Sequence, residues 1–259
     1  MIKSMLDICT NKKDDLDDAS IVLLHKKAVS ENTFLRKIYE DYYKEFEVLT
    51  KKVPNGLKVE IGSGGGFIKK IMPDVITSDV VSVEGIDMVF PATKMPFSDK
   101  SVSAFFVQNA LHHINEPIEF FNEINRCLVE HGKIVLIEPY NSFWGRFIRM
   151  ITYGLHKEGF DIKSGWKTCN NNRMTGANWA LPWLIFFKDR KIFETKFPNL
   201  KIKKLFSHSS FCYIFSGGVS TGQLLPSSAY DVVKKFENLF PSLNKYMGMF
   251  FTVELEKCL

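Results

Sequence analysis

The sequence has no run of 18 or more uncharged apolar residues, which excludes a conventional membrane-spanning helix. No long apolar stretch follows Met1-Ile-Lys-Ser-Met-Leu-Asp7, so no secretory leader is expected and the chain is predicted to stay in the cytoplasm. The five cysteines, Cys9, Cys127, Cys169, Cys212 and Cys258, stand far apart, without a C-x-x-C pair or histidine at zinc spacing. Neither a disulfide framework nor a structural metal is expected, and they read as reduced thiols. Internal repeats and low-complexity linkers are absent. The net charge of +5 is modest for 259 residues, and the lysines are spread out apart from short clusters such as Lys201–Lys204. Nothing indicates a nucleic-acid partner.

What is present suffices for a folded enzyme-sized unit. With 45% hydrophobic and 24% charged residues, the chain can bury one substantial core and is expected to form a single domain over 1–259. The 23 phenylalanines, many after residue 140, suit aromatic core filling, and also an apolar pocket or a lipid-like substrate.

The first 19 residues, with the acidic run Asp14–Asp18, read as a frayed start. From Ser30 as N-cap, Phe34, Leu35, Ile38, Tyr42, Phe46 and Leu49 recur at steps of three and four, which predicts an amphipathic helix ending before Pro54-Asn-Gly56. Short strands then alternate with helices, the pattern of a covered parallel sheet. Strands are predicted over 57–61, 75–78, 103–108 and 133–137. A helix capped by Asn115 and stopped by Gly132 is predicted between the last two. Further strands are predicted over 202–215 and 250–255, with a helix over 230–239 between them. The chain divides into a helical cap (1–53), a core (54–140), an aromatic-rich insertion (141–200) and a C-terminal part (201–259).

One segment carries ligand chemistry, Val59-Glu-Ile-Gly-Ser-Gly-Gly-Gly66. Glycines 62, 64, 65 and 66 let backbone approach a ligand closely. A dinucleotide fingerprint requires glycine at position 67, where Phe67 stands, and no Gly-Lys-Ser/Thr follows for a phosphate loop. What remains is an acid, Glu60, two residues ahead of G-x-G-x-G. Asp79 follows 19 residues later at a strand end, where a carboxylate can accept both hydroxyls of a ribose. Glu84 and Asp87 are nearby competitors.

This stretch is similar to motif I of class I S-adenosylmethionine-dependent methyltransferases. Met95-Pro-Phe97, Ser103-Ala-Phe-Phe-Val-Gln-Asn-Ala-Leu-His-His113 and Glu130-His-Gly-Lys-Ile-Val-Leu-Ile-Glu138 follow in the order of the type 11 subfamily. The resemblance covers about residues 55 to 140. It implies a Rossmann-like, doubly wound, mostly parallel seven-stranded sheet with the last strand antiparallel, an N-terminal helical cap and an inserted lid region. It also implies S-adenosylmethionine as cofactor. Gly62, Ser63, Gly64 and Gly66 would surround its methionine part, Glu60 its amino group and Asp79 its ribose, with Ala92 and Gln108 completing the site. The chain departs from the family at Pro91, where an aspartate usually meets the adenine amino group, and the segment before Met95 is too short for a full helix.

Methyl transfer is an in-line displacement that rests largely on positioning, and a base helps when the acceptor must lose a proton. His112 and Glu138 are the catalytic candidates, read against a packing role for the histidine pair and an amide-held strand-end role for Glu138. Asn109, His113, Tyr140, Asn178 and Trp179 are candidates for the acceptor, with His156, Asp161 and Trp183 also in the insertion. The expected reaction is methylation of a small-molecule or lipid- or sugar-linked acceptor at oxygen. Nitrogen or carbon methylation with the same cofactor site, or binding without catalysis, are the alternatives.

Overall fold

A computed structural model describes residues 19–151, 160–167, 177–219 and 222–259. The acidic run Asp14–Asp18, Cys9, Cys169 and His156 lie outside the described residues. Helices α1 (Ala19–Glu31) and α2 (Thr33–Leu49) open the described chain. The predicted cap is corrected here, because Ser30 lies inside α1 and the cap of α2 is Asn32. Its Oδ1 accepts from the Leu35 N–H at 2.8 Å while its Nδ2 donates to the Ser216 carbonyl at 2.6 Å, so one side chain ends the junction and ties it to the C-terminal part. The six apolar residues that predicted α2 are all buried.

The sheet has seven strands: β1 (Leu57–Ile61), β2 (Ile76–Asp79), β3 (Met88–Val89), β4 (Val102–Gln108), β5 (Leu128–Pro139), β6 (Leu200–His208) and β7 (Phe250–Lys257). Their order is β3-β2-β1-β4-β5-β7-β6, with the first five parallel and β7 antiparallel to both neighbours. This is the Rossmann-like sheet that the sequence implied. The order turns back between β1 and β4, and the carboxyl ends of strands at such a point are where open α/β sheets take ligands.

Alternation along the strands divides the core between two faces. Val59, Ile61, Phe105 and Val107 pack with helix α3 (Pro117–Cys127) and with residues 181–197, which include helix α5 (Arg190–Lys196). Helix α4 (Phe143–Ile151) precedes that segment, just after β5. Ala104, Phe106, Val135 and Ile137 pack on the other face against α2, and the Phe46 and Phe106 rings stack at 5.2 Å.

Four local expectations are corrected. Glu116, not Asn115, occupies the cap position of α3, because Pro117 opens the helix at its first turn. Gly132 is not a helix stop, since α3 ends at Cys127 and β5 begins at Leu128. Glycine is needed there because a Cβ would lie 2.9 Å from the Val129 carbonyl and 3.1 Å from the Ser103 carbonyl. The predicted strand 202–215 ends at His208, where Ser209 turns the backbone to φ 59, and helix α6 (Cys212–Ser216) follows. Only a single 3₁₀ turn, Phe67–Lys70, follows the glycine loop in place of a helix.

Between β6 and β7 run α6, α7 (Tyr230–Leu239) and α8 (Asn244–Met247). With so little helix after β1 and β2, this segment packs on α2. The Tyr230 hydroxyl donates to Asp41 at 2.6 Å, and Lys37 pairs with Asp231 at 3.6 Å. Removing the junction side chain with Asn32→Ala is expected to cost about 1–2 kcal/mol in urea unfolding, because it deletes a cap and strands the Ser216 carbonyl. Asn32→Ser should restore the cap bond and recover part of the loss; equal stability of all three proteins would contradict this role.

Candidate functional site

The loop after β1 turns through Gly62, Gly64 and Gly66 at φ 69, 54 and 67, a region that penalises any other residue. A Cβ on Gly62 would stand 2.6 Å from the Ala110 Cβ, so this glycine lets the loops after β1 and β4 touch. A Cβ on Gly64 would meet nothing within 4 Å, which leaves an open cradle of backbone. Ser63 serves the scaffold: its hydroxyl donates to the Glu60 carbonyl at 3.3 Å and accepts from the Ser78 N–H at 3.1 Å.

Asp79 ends β2 opposite this loop, where its Oδ2 accepts from the Gly64 N–H at 2.9 Å and its Oδ1 from the Val80 N–H at 2.7 Å. Its rival Asp87 is occupied differently, accepting from the Thr77 N–H at 2.8 Å and from Lys69 at 2.6 Å. Of these two acids, Asp79 is the one that meets the glycine loop.

Glu60 lies below the loop at 1% exposure, and burial pushes its carboxyl up to about 8, opposed by Ser63 and Tyr43. Its Oε2 has no hydrogen-bond partner among the described residues, and neither polar atom of the buried Gln108 side chain has one. Strand alternation puts Glu60, Phe106 and Gln108 on one face, and β1 is paired to β4 with Ile61 beside Val107. Three unpartnered buried polar atoms therefore flank the glycine cradle, an arrangement that costs stability until a ligand or water supplies partners. This donor and acceptor set fits a molecule with an amino acid end. Tyr39 and Tyr43 of α2 complete the surroundings of Glu60, and burial pushes the Tyr39 hydroxyl up to about 12 against a hydrogen bond with Asn109. Both tyrosines escaped the sequence reading, although Tyr43 adjoins the predicted apolar stripe.

At the carboxyl end of β5, Glu138 is fully buried and satisfied. One oxygen accepts from the Ala110 and Leu111 N–H groups at 2.9 and 2.7 Å, and the other lies 2.7 Å from His112 Nδ1. Glu138 is thus the amide-held strand-end carboxylate of the structural reading, and its second oxygen orients the His112 imidazole. A carboxylate that accepts at Nδ1 fixes the proton there and makes Nε2 the ring's proton acceptor.

The remaining predicted residues separate. The His113 ring lies 4.2 Å and the Trp179 ring 6.0 Å from His112. Tyr140 packs on Phe187 at 5.0 Å and Phe251 at 6.2 Å. Asn109 sits at φ 53 between β4 and the Ala110 turn. Asn178 does not face a ligand: its Oδ1 accepts from the Asp161 and Ala180 N–H groups, and its Nδ2 donates to the Asp161 and Lys167 carbonyls. Its backbone N–H donates to the His112 carbonyl at 2.9 Å, so it anchors the insertion to the histidine turn. Asp161 is likewise engaged locally with Lys163 and Ser164.

Ala92 follows the two-residue strand β3, and Lys94 closes a turn onto Pro91 at 2.9 Å. The next turn is held from α3: Glu123 accepts from the Met95 N–H at 2.6 Å, while Arg126 donates to the Met95 and Phe97 carbonyls at 3.1 and 2.7 Å. The sequence reading missed this pair, which Glu-x-x-Arg spacing on a helix could have suggested.

Residues 59–136 match the family model described as a methyltransferase domain. A curated relative, an uncharacterized protein of Methanocaldococcus jannaschii, is 29% identical over 114 residues, or 40% of this chain; the match spans 56% of that protein's length. Among solved structures, a methyltransferase of Thermotoga maritima described as a possible histamine N-methyltransferase superposes with a TM-score of 0.53 at 14% identity, covering 90% of this chain and 98% of that one. Geranyl diphosphate C-methyltransferase of Streptomyces coelicolor, in complex with Mg2+, geranyl diphosphate and S-adenosyl-L-homocysteine, gives 0.51 at 12% identity, covering 90% and 82%. At these identities the structural neighbours speak for the fold, while the family model speaks for the segment that builds the loop, β4 and most of β5. Residues 59–136 thus resemble a methyltransferase domain, and the chain shares its Rossmann-like fold with solved methyltransferases.

Proposed function

We propose that the protein transfers a methyl group from S-adenosylmethionine to a hydroxyl of a small or lipid-linked acceptor, with His112 as general base. The observation that carries this reading is the 2.7 Å contact of His112 Nδ1 with the buried Glu138, at the carboxyl end of the sheet beside the glycine loop. When bound, the cofactor supplies a methyl group on a positively charged sulfur. Gly62, Gly64 and Gly66 would receive its methionine end, Glu60 and Gln108 its polar groups, and Asp79 its ribose. His112 Nε2 would accept the proton of an acceptor hydroxyl whose oxygen takes up the methyl group, with S-adenosylhomocysteine as the leaving product. Glu138 acts as a positioning residue that steadies the imidazolium without taking the proton. Trp179 and His113 stand beside His112 and would shape the acceptor space.

Two measurements test the proposal. With a hydroxyl acceptor found by screening for S-adenosylhomocysteine release, His112→Asn should lower kcat by roughly 10²- to 10⁴-fold while leaving cofactor affinity intact. Unchanged kcat, or turnover confined to carbon or tertiary amine acceptors, would contradict the base; cofactor binding without turnover on any acceptor would favour a non-catalytic role.

The second concerns Glu60. Because burial raises its pKa from 4.5 to about 8, the folded chain holds this proton more tightly than the unfolded chain does. The associated stability is full below about pH 4.5 and is lost as pH rises through about 8. The Tm of the ligand-free protein should therefore fall across that window relative to Glu60→Gln. Affinity for a ligand bearing an ammonium group should rise over the same window in the wild type and stay flat in the variant. A pH-independent wild-type affinity would contradict the assignment of Glu60.

A further inference from the structure

The mechanism leaves unused a patch of exposed aromatics at the carboxyl edge of the sheet. Phe143 and Phe147 project from α4, and Phe236, Phe240, Leu243 and Tyr246 from α7, α8 and the turn between them, all exposed. These residues adjoin one another: the Phe236 and Phe240 rings meet at 5.6 Å, Phe240, Leu243 and Asn244 line one shallow depression, and α8 packs beside α4. Six large apolar side chains turned to water in two neighbouring segments are more than scattered surface residues.

The segments 139–151 and 238–249 carry charge of one sign. Residues 139–151 contain Arg146 and Arg149 and no acid, and residues 238–249 contain Lys245 and no acid. Glu237, the acid preceding the second segment, is 5% exposed and accepts from the Phe211 and Cys212 N–H groups, so it faces inward. Exposed apolar tips on two segments whose exposed charged side chains are Arg146 and Lys245, with Glu237 tied down by backbone amides, match an anionic lipid interface, where the apolar tips enter the acyl boundary and the cations meet phosphates.

The position of the patch relates it to the site. α4 starts five residues beyond Glu138, and α8 leads into β7, whose first residue pairs with Pro139. The Tyr140 N–H donates to the Met249 carbonyl at 2.8 Å, joining the two segments at the end of β5, which carries Glu138. We infer that this face docks the protein on an anionic bilayer and presents the acceptor end of the site to lipid-resident molecules. That it delivers an acceptor rests on the function proposed above; the docking itself does not.

The test is flotation of the full chain with vesicles of phosphatidylcholine alone and of phosphatidylcholine mixed with phosphatidylglycerol. Cofactor affinity by calorimetry runs in parallel as the check on folding and on the function reading. The wild type should float with the anionic vesicles only. Phe143→Ser with Phe240→Ser should abolish flotation, and Arg146→Glu or Lys245→Glu should each weaken it by about fivefold or more at low salt. All these positions are exposed, so the variants should keep their cofactor affinity. Absence of wild-type flotation, equal flotation with both vesicles, flotation indifferent to the substitutions, or a stable dimer formed through this face would each overturn the inference. Loss of cofactor binding by the wild type would instead count against the function reading.

Discussion

A carboxylate that no water reaches must find its partners in the protein, and much of this site follows from how Glu138 does so. Two amide N–H groups and one imidazole nitrogen converge on it, which fixes the turn Ala110-Leu111-His112. Ala110 in turn sits against Gly62, so the glycine loop is set against the turn that carries His112. The His112 carbonyl receives the Asn178 N–H, and Asn178 organises the insertion around Asp161 and Lys167. Hydrogen bonds to a buried charge are among the strong ones, and removing one member strands the others. Glu138, the histidine turn and the insertion held by Asn178 are therefore a single connected unit.

The cofactor end is built on the opposite principle, incompletion. Glu60 Oε2 and both polar atoms of Gln108 are buried without partners among the described residues, beside a loop whose glycine cradle is open. Such groups cost stability until a ligand or water supplies partners, so polarity is unsatisfied beside the glycine loop and saturated around Glu138. The reduction of the post-β1 helix to one 3₁₀ turn and the absence of a full helix before Met95 have a structural counterpart. α2 and the 209–247 segment cover the same sheet face, with Asn32, Asp41 and Tyr230 as fastenings.

The sheet was legible because period-two apolar runs and glycine punctuation are local signals: 57–61 and the helix 230–239 match their predicted bounds. Glu60, Asp79 and the glycines were legible through spacing. What escaped depends on contacts distant in sequence. Asn32 caps α2 and also bonds Ser216, Asn178 is a scaffold residue through four side-chain bonds, and Tyr39 reaches Asn109 from a helix whose partners spacing does not reveal. Ser209 at positive φ ended a strand that apolar periodicity alone would have continued.

The most direct test of this division is a crystal structure with S-adenosylhomocysteine. Its amino acid end should lie in the cradle of Gly62 to Gly66 within hydrogen-bond reach of Glu60 or Gln108, its ribose on Asp79, and its sulfur facing the side of the site occupied by His112 and Trp179. Binding elsewhere on the sheet, or at the loop with Glu60 and Gln108 both still unpartnered, would contradict it.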